Sequence, residues 1–323
     1  MAAAEGAGHP RKDHLGLPAA ALLLSCCAFW GLQQVLVKAT LTEVPAAFQA
    51  MLRFTASTAC LMAWCRFRGI ALFERDSSLW PGLLVGALFA GEMLCVFLGL
   101  QYIPASRLTV FLYASPLWAA LILPWVIRSE RLRALQWVGL LLAFLAVAYT
   151  LRDGLLRGQT EAQHWGDMLA LASGLFWAMT TVTIRSSDRL MRASAEKLLF
   201  YQVGGAAAFS AALSLILGDA WASSFSPFAL TSLALQAVVG GFASYLVWMW
   251  MLGRYPATKM GAFALSTPVF AVIFGVLWLG EMVHLELVGA LAAVIFGITL
   301  VNRKPAAAPA TLPDAKDETT SAP

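Results

Sequence analysis

Pro104-Ala105-Ser106-Arg107-Leu108-Thr109-Val110-Phe111-Leu112-Tyr113-Ala114-Ser115-Pro116 returns later in the chain as Pro256-Ala257-Thr258-Lys259-Met260-Gly261-Ala262-Phe263-Ala264-Leu265-Ser266-Thr267-Pro268. Proline, alanine, a hydroxyl and a base open both copies. Phe111 and Phe263 share one later position, and Ser115-Pro116 answers Thr267-Pro268. Earlier in each half, Phe29-Trp30 pairs with Phe176-Trp177 and Lys38 with Arg185. Later, Gly139 aligns with Gly289, each a short way past an acidic break at Glu130 or Glu281. Matches that keep one order through both halves point to duplication rather than chance.

Both copies sit in apolar surroundings. The chain is 60% hydrophobic and 12% charged, with a mean hydropathy of +0.73, whereas a soluble domain carries roughly 25% charged residues. A soluble core of this size could not hide so much apolar surface. Lipid as the solvent removes that conflict. A span of the hydrocarbon core needs roughly 20 residues, and the runs predict helices over 17–38, 46–65, 79–100, 104–127 and 135–151. A second set follows over 166–185, 194–217, 230–252, 256–279 and 285–302. The first run follows Arg11 and Lys12 as a signal peptide would, but it stays apolar to Val37 with no A-x-A-like site. It is therefore read as a retained helix.

Five is odd, so the two halves enter the membrane from opposite sides. The predicted fold class is an all-α integral membrane protein of about ten transmembrane helices, arranged as two inverted five-helix repeats. Many secondary transporters use that arrangement around a site at the bilayer midplane. The domains expected are a disordered tail over 1–16, repeats over 17–151 and 166–302 joined by a linker over 152–165, and a disordered Pro/Ala/acidic tail over 303–323. With the N-terminus in the cytoplasm, only Lys38, Arg107, Arg152 and Arg157 of the 22 basic residues fall outside, and Arg53 falls within the second helix. The positive-inside bias then places both termini in the cytoplasm.

A family likeness rests on several of these residues in order. Phe29-Trp30-Gly31 to Lys38, Arg53, and Leu98-Gly99-Leu100-Gln101-Tyr102 to Ala105-Ser106 carry it through the first half. Ser115-Pro116, Gly166-Asp167-Met168-Leu169-Ala170-Leu171, Phe176-Trp177-Ala178, Thr267-Pro268 and Leu279-Gly280-Glu281 continue it. The chain resembles an EamA domain protein of the drug/metabolite transporter superfamily over about 17–302. The resemblance implies ten helices and, commonly, export of amino acids or other small metabolites. Arg128-Ser129-Glu130 departs from it, because the family usually shows Gly-Glu there.

Glu92 is the acid that stands out, near mid-depth of the third helix in Ala90-Gly91-Glu92-Met93. A carboxylate in hydrocarbon costs several kcal/mol unless it faces protein or water, which marks it as a functional candidate. Glu92 can bind a cationic substrate group or a coupling proton. Alternatively, it is a structural partner of Arg53, whose depth differs by only about 3 Å at 1.5 Å per residue. Trp30 and Trp177 are repeat mates near mid-depth, with Gln33 and Thr181 within a turn, and Tyr113, Trp118 and Tyr245 add further aromatic candidates. Aromatics with a few polar groups suit an amphipathic ligand; a single tryptophan more often packs, whereas the symmetric pair Trp30 and Trp177 points to a cavity on the pseudo-twofold. Pro116 and Pro268, each after a hydroxyl residue, are expected to kink their helices and serve as hinges, with Ser115 or Thr267 satisfying the freed carbonyl. Gly82-x-x-x-Gly86 and Gly204-Gly205-Ala206 permit close helix approach.

Other chemistries find no support. His9, His14, His164 and His284 never form H-E-x-x-H, and neither a G-x-S-x-G elbow nor a P-loop occurs. Glu281, His284 and Glu286 fall short of a metal-ligand spacing. The five cysteines lie in or beside apolar runs and read as packing residues. No enzyme activity, cofactor or nucleic-acid partner is expected. The expected partners are the bilayer, a small-molecule substrate and, as candidate coupling ion, the proton. An exporter of an amino acid or amphipathic metabolite is the leading reading. The alternatives are an importer or exchanger of an anionic metabolite, in which Arg107 and Lys259 bind the anion, and a membrane scaffold. Arg in excess of Lys, abundant Ala and the absence of an N-x-[S/T] acceptor favour a bacterial inner membrane.

Overall fold

The computed structural model describes residues 16–74, 76–126, 160–221, 224–252, 254–255, 260 and 263–301, together with 137–139, 141–142, 145 and 149. The tails, most of the helix expected over 135–151, linker residues 152–159, Arg128-Ser129-Glu130 and Pro256 to Lys259 lie outside the described residues. Among the described residues there is no strand.

Helix α1 spans Leu17–Thr40, α2 Ala46–Arg68 and α3 Leu79–Tyr102. Each runs over twenty residues, and at 1.5 Å per residue each is about 35 Å long, enough for the hydrocarbon core. Pro18 in the first turn of α1 gives up no bonded N–H and pre-sets φ for the helix. Where one continuous helix is expected over 104–127, the chain forms two, α4 over Ala105–Leu112 and α5 over Ser115–Val126. Helix α6, Glu161–Ser186, begins inside the expected linker because Thr160 and Gln163 close a capping box. The Gln163 amide donates to Thr160 Oγ1 at 3.3 Å, and the Thr160 amide donates to Gln163 Oε1 at 3.0 Å.

A single turn, α7 (Asp188–Met191), leads to α8 (Ala195–Leu217). The span expected over 230–252 is compound. It contains α9 (Pro227–Ala234), a π-helical segment π1 (Leu235–Ala243) and α10 (Ser244–Leu252). Helices α11 (Thr267–Leu279) and α12 (Leu285–Val301) complete the described chain. Five of these spans are long and apolar enough to cross a membrane by length and composition.

Helix α3 is the centre of the bundle. It packs along α6, and α8 crosses both α2 and α3; α1 lies against α11, α4 and α5 against α6, and π1 against α2. The largest buried cluster gathers Phe54 and Leu61 of α2, Phe89, Phe97 and Leu100 of α3, and Leu108 and Phe111 of α4. The outward surface is equally apolar. Trp80, Trp125, Ile216, Leu277 and Met282 are all more than three-quarters exposed, a surface that water would penalise and lipid does not.

Glycine sets the closest helix approach. A Cβ on Gly205 of α8 would lie 2.7 Å from the carbonyl oxygen of Gly86 on α3, and one on Gly86 would overlap the carbonyl of Tyr201. The two helices therefore touch backbone to backbone, as the sequence expects for Gly86 and Gly205, whereas Gly204 faces open space. Gly205→Val should push α3 and α8 apart and lower stability by about 1–3 kcal/mol, the usual cost of overpacking. The check is the thermal midpoint of purified protein in detergent, with Gly204→Val as the control that leaves it unchanged.

Candidate functional site

Glu92 projects from α3 into the bundle and is 5% exposed, while Arg53 of α2 is 1% exposed. They lie within electrostatic reach of one another and of Tyr245 on α10. They do not form the ion pair that their matched depths allow. Arg53 instead lays its guanidinium over the rings of Phe54 at 4.8 Å and Phe97 at 5.6 Å. Among the described residues, Arg53 Nε and Nη2 and Glu92 Oε2 have no hydrogen-bond partner. Stacking on two rings stabilises the cation without using its N–H groups.

Aromatic side chains wall this pair. The Tyr245 ring lies 5.8 Å from Trp30 and 6.0 Å from Phe89, and Phe89 meets Phe54 edge-on at 5.8 Å. Trp30 also packs on Trp248 and donates its indole N–H to Ser244 Oγ at 2.8 Å. Tyr113 and Trp177 meet edge to face at 5.2 Å. The repeat mates Trp30 and Trp177 thus each contact a tyrosine rather than each other. Gln33 is buried, with its amide oxygen against Gly240, where a Cβ would displace it. Thr181 donates its hydroxyl to the Trp177 carbonyl of its own helix at 3.1 Å, so that group is already engaged. Trp118 sits on α5 beyond the break and is half-buried.

The two prolines do not kink continuous helices. Pro116 and Pro268 stand in the first turns of α5 and α11, where a missing N–H costs nothing. At the first break the Phe111 carbonyl accepts from the Ala114 amide at 3.1 Å, and it and the Leu112 carbonyl lie against Gly174 of α6, where a Cβ would be 3.0 and 3.1 Å away. At the second break, Ser266 rather than Thr267 supplies the hydroxyl, donating to the Phe263 carbonyl at 2.6 Å. Thr267 Oγ1 has no partner among the described residues.

Several polar residues beside the site escape sequence reading. Ser244 Oγ passes the Trp30 bond on to the Gly240 carbonyl at 2.9 Å, and Ser57 of α2 donates to the Ala237 carbonyl at 3.0 Å. Both carbonyls belong to π1, a helix type that recurs at functional sites. Gln49, Gln236, Ser232 and Thr40 extend a chain of hydrogen bonds from α2 across π1 and α9 to α1. The available signal was two glutamines, Gln49 and Gln236, inside apolar runs.

Polar contacts close both ends of the bundle. At one end Lys38 donates to the carbonyls of Leu100 and Ile103, both at 2.8 Å, where α3 runs out of its own donors. Gly280 ends α11 at φ +63°, a conformation that penalises a side chain. Its turn brings Glu281 onto the start of α4, where Glu281 accepts from the Ala105 amide at 2.7 Å, the Ser106 amide at 3.1 Å and Ser106 Oγ at 2.6 Å. Pro104 gives α4 no side-chain cap, so Glu281 fills that role from the other half of the chain. Arg107 grips Asp167 through Nε at 2.7 Å and Nη2 at 2.8 Å. That bidentate pair commits Arg107 to the protein rather than to the anionic ligand considered from sequence; Lys259, its mate, is outside the described residues. At the other end Lys197 donates to Asp76 at 2.7 Å and to the Glu74 carbonyl at 3.1 Å, and Ser78 bonds Tyr201 at 3.1 Å. The Lys197 hydrogen bond, then those from Ser78, hold the Asp76 carboxyl down at about 2.

Comparison with known proteins follows the same outline. Residues 17–152 and 164–303 match the EamA-like transporter family. An uncharacterized transporter of Archaeoglobus fulgidus is 26% identical over 273 residues, covering 84% of this chain and 90% of the relative. The threonine/homoserine exporter RhtA of Escherichia coli K12 is 27% identical over 315 residues, covering 92% and 96%. A protein of known crystal structure superposes with a TM-score of 0.63 at 21% identity, over 88% of this chain and 97% of its own, a likeness of fold alone.

Two outcomes are expected from the end contacts. Glu281→Gln keeps the shape but replaces charge-assisted bonds with neutral ones, so the thermal midpoint should fall by the equivalent of about 1–2 kcal/mol; an unchanged midpoint would show that α4 needs no external cap. Because the Asp76 pKa is depressed in the folded protein, its contribution is full above the ordinary carboxylate value of 3.8 and is lost as the pH falls towards about 2. Acid titration of Asp76→Asn, read by thermal midpoint against wild type, should show the difference between them shrinking only below about pH 4.

Proposed function

The chain belongs to the EamA-like transporter family, within the drug/metabolite transporter superfamily, and on that premise we propose that it is a secondary transporter exporting an amino acid or small amphipathic metabolite. It is a transporter of the membrane and not an enzyme. The observation that carries the proposal is the pair of buried charges, Glu92 and Arg53, left without mutual ion pairing inside an aromatic wall made by Trp30, Phe89 and Tyr245. Bundles place polar groups at such depth where a ligand or ion passes. The relative named as a threonine/homoserine exporter supports an amino-acid substrate and outward direction.

Alternating access is the mechanism proposed. Ten spans in two inverted repeats would put the site on the pseudo-twofold between halves. The breaks before Ser115-Pro116 and Thr267-Pro268 occupy matching places and give each half a joint at which α5 and α11 can swing. The contacts made by Lys38, Glu281 and Arg107 at one end, and by Lys197 and Asp76 at the other, would be broken in turn. With both termini in the cytoplasm of a bacterial inner membrane, the Lys38 end faces outward. Glu92 would receive the substrate amine or a coupling proton.

Purified protein in liposomes, loaded with labelled amino acids including threonine and homoserine, should release one or more of them, and an imposed pH gradient should alter the rate. Glu92→Gln should abolish or uncouple that flux while leaving folded yield intact. Trp30→Ala and Trp177→Ala should each lower it at least several-fold on the same terms. Wild-type rates and wild-type pH response in Glu92→Gln would refute the assignment of Glu92. Parallel loss of folded protein and flux in the Trp variants would make them packing residues.

A further inference from the structure

We propose that Arg53 and Glu92 are the two poles of a clamp for a zwitterion, with Arg53 taking a carboxylate and Glu92 an ammonium group of one ligand. The inference rests on the transport reading and specifies the chemistry that the site selects.

The geometry at Arg53 is informative because Arg107 provides an internal comparison. Arg107 uses Nε and Nη2, one edge of its planar guanidinium, to hold both oxygens of Asp167. That edge matches a carboxylate in spacing and direction. At Arg53 the same two nitrogens are buried and unspent among the described residues. Phe54 and Phe97 approach the guanidinium carbon at 4.8 and 5.6 Å through their ring faces, which use none of its N–H groups, so Nε and Nη2 remain for a partner. Glu92 offers the complementary deficit, a buried carboxylate oxygen with no donor.

Opposite buried charges within electrostatic reach normally relax into a direct pair, since that offsets part of the cost of removing them from water. Here the stacking holds Arg53 back, and the two charges stay apart with Tyr245 in reach of both. A ligand carrying both charges satisfies both poles at once. A ligand with one charge leaves the other pole buried and unpaired. The aromatic series from Phe89 through Tyr245 to Trp30 would receive an apolar side chain of that ligand.

The test uses the purified full-length chain and a panel of L-amino acids, each compared with its α-amide and its N-acetyl derivative, with ligand-induced thermal stabilisation giving affinity. At least one amino acid should bind wild type, and removal of either charge from that ligand should weaken binding at least tenfold. Arg53→Gln should bind the parent and its amide about equally, and Glu92→Gln should bind the parent and its N-acetyl form about equally. Such a reversal of preference is not produced by a merely structural ion pair. If either variant fails to fold, the derivative series on wild type decides alone. Binding indifferent to the loss of one charge, or no amino acid bound at all, overturns the clamp. The transport reading is judged separately in liposomes. Flux of a singly charged or uncharged metabolite without amino-acid binding would retain transport and remove the clamp, whereas charge-selective binding without flux would retain the clamp and remove transport.

Discussion

Hydrocarbon offers no hydrogen bonds, so each polar group carried into it must find its partner within the bundle. That requirement organises this molecule more than apolar packing does, because apolar side chains are content on either side of a helix in lipid. It explains why Lys38 turns to the spent end of α3, why Glu281 reaches to the start of α4, and why Ser57 and Ser244 attend the carbonyls of π1. Each contact joins elements far apart in sequence, and together they fix how the helices stand. Against this background Arg53 and Glu92, the charged side chains with buried unspent groups among the described residues, need a reason.

Helix positions were legible wherever a long apolar run is bounded by charge. The expected 46–65 became Ala46–Arg68, and 194–217 became Ala195–Leu217. The early start of α6 was written in Thr160 and Gln163, but hydropathy alone passes over a capping box in a polar stretch. The break between α4 and α5 was half legible. Pro116 announced an interruption, yet whether a helix bends or stops depends on what packs against the break, and Gly174, which leaves room for the Phe111 and Leu112 carbonyls, lies on another helix. The π turns of Leu235–Ala243 had no local signal, because their carbonyls are satisfied by hydroxyls from α2 as well as from within the span.

The site follows the same division. Glu92 was readable from one residue, since a carboxylate in an apolar run has few explanations. Trp30 and Trp177 were readable as a matched pair, but their tyrosine partners were not. Arg53 leaned towards a structural role from sequence; only its position over the Phe54 and Phe97 rings, with Nε and Nη2 left unspent, changes that reading. Residues that carried the family likeness, among them Lys38, Ser106, Asp167 and Glu281, hold one end of the bundle together rather than lining its centre. A likeness built on such residues identifies the scaffold and says less about the cargo.

The cap on α4 also bears on how the chain is made. Glu281 lies 176 residues beyond the Ala105 amide that it receives. At a synthesis rate of about 5–20 residues per second, α4 waits roughly 10–35 s for it. Trp30 waits longer for Ser244, which is 214 residues away. During that interval the early helices stand in the bilayer with the Ala105 and Ser106 donors and the Trp30 N–H still unmatched, so the first half is nascent scaffolding whose completion depends on helices of the second half. A chain interrupted before Glu281 would therefore lose more than its final segment, leaving a membrane-inserted intermediate with exposed polar groups for quality control to recognise.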